Sequence, residues 1–208
     1  MFQRYNNAVW PAQFAFYLAA FVAIALTFKD TRVSSKTISV ILAVLWLWMG
    51  LVYHVLFFSR INGAAFLFGA LFVGQSIIFI FAGPLSETML FRFRRNADGI
   101  LGSVLMAYAL VIYPLLGMSF SHNYPAAPTF GVPCPTTIFT FGILLAAGKR
   151  VPLHVLIIPS LWSVFGVWAA LSLGMIEDFG LVIAGITSIT MIAWRQSKVR
   201  VRDTATTI

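Results

Sequence analysis

The chain has 208 residues, 60% hydrophobic and only 10% charged, with six tryptophans and a mean hydropathy of +0.92, which excludes an ordinary soluble domain and points to an integral membrane protein. The net charge of +8 is carried by short clusters at the ends of apolar runs, where anionic headgroups attract it, so the lipid bilayer and not nucleic acid is the expected partner. A single cysteine excludes an intramolecular disulfide, no paired spacing marks a zinc or iron–sulfur site, and no cofactor is called for.

A membrane helix needs about 20 mostly apolar residues. Runs of this kind predict spans at 10–28, 38–58, 63–83, 99–119, 134–148, 153–174 and 178–194. The first lacks a small-residue cleavage site and reads as a retained span. Connections after the first, third, fifth and seventh spans hold twelve of the fourteen Lys and Arg residues, whereas the N-terminus and the second connection hold one each, Arg4 and Arg60. Positive charge stays on the cytoplasmic side. The expected fold is therefore an all-α membrane protein, a seven-transmembrane helix bundle with its N-terminus outside and its C-terminus inside. Residues 1–195 form a single polytopic domain and residues 196–208 a basic, frayed cytoplasmic tail.

The fifth span is the irregular one. Residues 134–148 make a helix about 22 Å long against a hydrocarbon core of about 30 Å. Upstream lie Pro125, Pro128, Gly131, Pro133 and Pro135, which break helical geometry and remove backbone donors. Irregular backbone at membrane depth must be buried in protein or line a wet cavity. A short or broken fifth helix is expected to start in the outer leaflet, the alternative being an external loop followed by a slightly short span. Pro135, Thr136 and Thr137 read as its first turn, with hydroxyls near unpaired amides. The positive end of that helix, aimed into the outer membrane, is the leading candidate for a solute contact, against simple capping.

Ionisable groups near a bilayer each need a role or a partner. His54, His122, Cys134 and the Glu177/Asp178 pair all fall on the outer side of this topology and can frame a vestibule, while Gln75 and Tyr108 lie deeper and can continue a path inward. Cys134, the histidines and the carboxylates are donor types that a metal ion accepts, but no two histidines stand four residues apart, and any metal stays unknown. Cys134 as a nucleophile is a further reading. For the acidic pair, the competing structural reading is complementation of a helix dipole; for Gln75 and the hydroxyls it is hydrogen bonding between helices. Glu87 is expected to pair with a nearby arginine. Lys149 and Arg150, with Arg92, Arg94 and Arg95, are expected to anchor the inner ends in the headgroups. No lysine lies in the seventh span for a retinal Schiff base.

At "YHVLFFSRIN", "YPAAPTFGVPCPTTIFTFG", "IPSLWSVFG" and "EDFGLVIAG" the sequence resembles a family of small bacterial multispanning membrane proteins of unknown function, some with permease-like names. The resemblance runs from about the second span to the seventh and implies no substrate, cofactor or catalytic residue. The residues themselves favour binding or transport of a small solute through an outward-facing cavity at the proline-cysteine-proline break, Pro133, Cys134 and Pro135. A membrane-embedded sensor or accessory subunit is the second reading and an intramembrane enzyme using Cys134 the third. A homo-oligomer stays open, since no small-residue stripe decides it.

Overall fold

A computed structural model describes residues 1–148 and 151–205. Among the described residues there are seven helices and no strand: α1 (Phe2–Thr27), α2 (Arg32–Arg60), α3 (Ala65–Leu85), α4 (Ala97–Ser119), α5 (Pro133–Leu145), α6 (His154–Leu173) and α7 (Phe179–Ala205). Five segments, Phe2–Thr27, Arg32–Arg60, Ala65–Leu85, Ala97–Ser119 and Ile176–Lys198, are long and apolar enough to cross a membrane. Side chains such as Phe14, Leu18, Val164, Leu171, Ile183 and Ile186 point outward and are well exposed. An apolar girdle on that scale suits lipid rather than water.

The helices correspond one for one to the seven expected spans, with two differences at the ends. The first starts at Phe2, eight residues before the expected boundary, and carries Pro11 inside it. Hydropathy places Tyr5 and Asn6 outside the span, yet both are fully buried because they bind the proline-rich connection. The last helix runs on to Ala205, so residues 196–205 continue α7 where a frayed tail was expected; residues 206–208, like Lys149 and Arg150, lie outside the described residues.

The short fifth helix has a central position. It packs on α4, α6 and α7, and Trp46 of α2 donates its indole N–H to Thr140 Oγ1 at 3.0 Å. Every α5 residue except Cys134 is buried. A helix apolar all round and only 13 residues long spans about 20 Å. It does not need to match the bilayer, because protein surrounds it. Its close approach to α4 depends on glycine: a Cβ at Gly142 would stand 2.7 Å from Gly102 O, and a Cβ at Gly102 would stand 2.7 Å from Gly142 O.

Irregular segments flank α5 at both ends. At its N-terminal end, Asn6 Nδ2 donates to Pro125 O and Ala127 O, both at 2.7 Å, while Gln13 Nε2 donates to Asn6 Oδ1 at 2.8 Å and Tyr5 hydroxyl to Gly131 O at 3.4 Å. Gly131 has φ +101°, and a Cβ there would overlap the Phe16 ring. At the other end Arg195 Nη1 donates to Ala147 O at 2.9 Å and Leu145 O at 3.3 Å, and pairs with Asp98 Oδ2 at 3.1 Å. This arginine supplies the partners that the last carbonyls of a helix lack within it. Further ion pairs of that face among the described residues are Arg32–Glu87 and Lys36–Glu87, both at 2.7 Å, and Arg92–Asp30 at 2.9 Å. Lys36, and after it Arg32, hold the Glu87 carboxyl below its ordinary range.

Candidate functional site

Three helices do not run regularly. A π-helical stretch occupies Met49–Phe57 of α2, Phe81–Leu85 of α3 and Tyr108–Ile112 of α4. Such turns shift side chains around the helix axis and occur often at functional sites. The α2 stretch carries Tyr53 and His54 toward the start of α3, and His54 reaches Phe68 of α3 and Trp162 of α6. His54 is fully buried among rings, with Phe72 at 4.7 Å, Tyr53 at 5.1 Å and Trp162 at 5.3 Å between centroids. Neither of its ring nitrogens has a hydrogen-bond partner.

Above this aromatic layer, between the N-terminus, the end of α2, the start of α3 and α6, lies a cavity of about 480 Å³. Ligand pockets fall in this size range. Its walls are mostly apolar and aromatic, including Phe2, Tyr53, Phe58, Phe68, Trp162 and Trp168. The polar liners are few: Asn62, Cys134, Asp178 and the Trp162 indole, whose Nε1 is buried and unpartnered. Among the described residues Asp178 is the one ionisable carboxylate in the wall.

Asp178 is positioned by α4. The turn Ile176–Asp178 precedes α7, and the Tyr113 hydroxyl donates to Asp178 Oδ1 at 2.6 Å while the Tyr108 hydroxyl donates to Glu177 O at 2.8 Å. Both tyrosines sit in or directly after the α4 π-helical turn, ahead of Pro114. Glu177 is turned away from the cavity and pairs through Oε1 with His122 Nδ1 at 3.0 Å, its Oε2 being buried without a partner. Among the described residues no Lys, Arg or His stands at ion-pair distance from Asp178. Cys134, in the first turn of α5, lies beside the Asp178 carboxylate and is partly buried.

The expected vestibule residues therefore divide. Cys134 and Asp178 share the cavity wall, and His122 and Glu177 form the adjoining pair. His54 belongs to the layer beneath. Pro133 and Pro135 open α5 as expected, but Thr136 and Thr137 do not cap its amides: the N-terminus has no side-chain cap. The Thr136 hydroxyl instead accepts from Gly131 N at 3.1 Å, tying the proline-rich segment to the helix, and Thr137 Oγ1 is buried without a partner. Gln75 and Tyr108 do not line this cavity. Gln75 Nε2 donates to Val155 O at 3.0 Å, joining α3 to the start of α6, and Tyr108 holds the acidic turn. Among the described residues no three His, Cys, Asp or Glu side chains converge on one metal position.

Sequence reasoning missed the aromatic walls and Tyr113 as an acid-positioning group. It also missed Asn6 and Gln13, whose amides beside an apolar run were the available signal. No curated protein and no solved structure matches the chain. A family model matches residues 1–203, so the resemblance extends ahead of the second span to almost the whole length, and the chain belongs to DUF6064, a family of unknown function.

Proposed function

We propose that this chain is a multi-pass protein of a bacterial inner membrane, with its N-terminus outside, that binds a small solute in the aromatic cavity and carries it across. The observation that carries the reading is the cavity itself, apolar and ligand-sized, with a few polar groups converging at Cys134 and Asp178. Its orientation is supported by charge. The helix ends opposite the cavity bear Lys29, Arg32, Lys36, Arg92, Arg94, Arg95 and Arg195, whereas the cavity end bears Arg4 and Arg60. The N-terminus of α5 beside the cavity wall adds partial positive charge and a weak thiol donor, and α4 can shift the acidic turn through its two tyrosines.

Uptake of radiolabelled small solutes into vesicles reconstituted with the full chain tests carriage directly. Protein-dependent uptake of one solute class, reduced by Trp162→Leu at the cavity wall, is expected. A solute that binds the protein in detergent but never enters the vesicles contradicts carriage and leaves a sensor.

A further inference from the structure

Resting on that reading, we infer that the solute is an organic cation, an ammonium group carrying an apolar or aromatic body. The argument starts from charge. Asp178 is 4% exposed, lines the cavity, and accepts a neutral tyrosine hydroxyl with no cationic partner at ion-pair distance among the described residues. A buried carboxylate is costly unless a positive charge accompanies it, and the partial charge of about half a unit at the N-terminus of α5, beside Asp178 at Cys134, offsets it only in part. The neighbouring Glu177 already has His122, so that histidine is committed elsewhere.

What faces the carboxylate across the cavity is aromatic surface. Trp162 and Trp168 of α6, Tyr53 and Phe58 of α2, Phe68 of α3 and Phe2 of α1 present rings from four elements. Ring faces attract an ammonium or quaternary ammonium group, most strongly when it is desolvated, and tryptophan is the best of them. An anionic solute meets Asp178 and the ring faces unfavourably. A neutral apolar solute leaves the carboxylate without compensation. A cation with an apolar body satisfies both the wall and the acid, and the same chemistry is offered by a free amine and by the ammonium headgroup of a lipid.

The single native thiol reads occupancy. Purified full-length protein is alkylated at Cys134 with N-ethylmaleimide in the presence of benzyltrimethylammonium, of phenylmethanesulfonate or of benzyl alcohol, which share the benzyl body and differ in charge. The cation is expected to slow alkylation at least tenfold at saturation and the other two less than twofold. In Asp178→Asn, whose side-chain carbonyl still accepts from Tyr113, protection by the cation is expected to need at least tenfold more ligand. Equal protection by all three probes, or protection unchanged in Asp178→Asn, overturns the cation assignment while the solute cavity survives. A thiol that reacts only after denaturation overturns the cavity reading and this inference together. In nanodiscs without probe, a thiol blocked in phosphatidylethanolamine and reactive in phosphatidylglycerol assigns the cation to a lipid headgroup. Equal reactivity in both assigns it to a free solute. A monodisperse elution profile and an unchanged melting temperature for Asp178→Asn keep the comparison on the folded protein.

Discussion

Alanine at Gly142 tests the central placement of α5. A methyl there would stand 2.7 Å from Gly102 O, 2.8 Å from Met106 Cγ and 3.1 Å from Met106 N. Met106 can swing its chain aside, but the carbonyl and the amide belong to the α4 backbone, so relief requires the two helices to separate. Overpacking of this kind costs about 1–3 kcal/mol. Against it stands a helix-propensity gain of about 1 kcal/mol on replacing glycine by alanine. Because the clashing carbonyl and amide are backbone, the cost is taken in the upper part of that range, about 2–3 kcal/mol, so the net expectation is a loss of about 1–2 kcal/mol, a fall in melting temperature of about 5 °C for a chain of this size. Gly142→Val, with two further methyl groups and no comparable propensity gain, is expected at about 3 kcal/mol. Intrinsic fluorescence during thermal unfolding in detergent measures both. Gly63→Ala is the control, since a Cβ there meets nothing within 4 Å. If Gly142→Ala melts together with Gly63→Ala and the wild type, α4 and α5 do not approach through their glycines, and the central position of α5 is refuted.

Asn6→Ala removes the donor shared by Pro125 O and Ala127 O and leaves buried acceptors unpaired; a destabilisation of about 2–3 kcal/mol is expected by thermal unfolding, with faster protease cleavage between residues 120 and 132. Arg195→Met strips the partners from the α5 terminus and from Asp98, and is expected to cost about 2–3 kcal/mol in the same assay, more than Arg92→Met on the exposed pair with Asp30. Because Glu87 titrates lower folded than unfolded, its ion pairs contribute stability above the ordinary carboxylate value and lose it as pH falls through the lowered one. Stability measured across the acidic range is accordingly expected to fall less steeply in Glu87→Gln than in the wild type. The difference is expected to shrink in high salt.

Much of the fold was legible because a bilayer imposes one strong rule on sequence. Runs of apolar residues separated by charge clusters located all seven helices, and the four prolines with Gly131 marked α5 as short. Its central burial was not legible, since an apolar helix in lipid and an apolar helix in protein have the same composition. Asn6 was read as lying outside a span for a related reason: hydropathy registers an amide as polar whether it meets water or, as here, two carbonyls of a distant loop. Cys134 and Asp178 stood out as polar groups near a break, and the fold does place them together. The aromatic walls did not stand out, because Trp162 and Trp168 are indistinguishable in sequence from interface residues. Thr136 illustrates the opposite error, where a capping pattern was correct in spacing but the hydroxyl found a better-placed donor at Gly131 N.

The central claim is that the cavity beside α5 is wet and opens on the outer side of the membrane. Labelling of Cys134 in intact cells with a membrane-impermeant maleimide, repeated after denaturation to count every available thiol, tests it most directly. The account predicts that most of the thiol reacts from outside. Reaction only after denaturation, or only when the reagent is admitted to the cytoplasm, contradicts it.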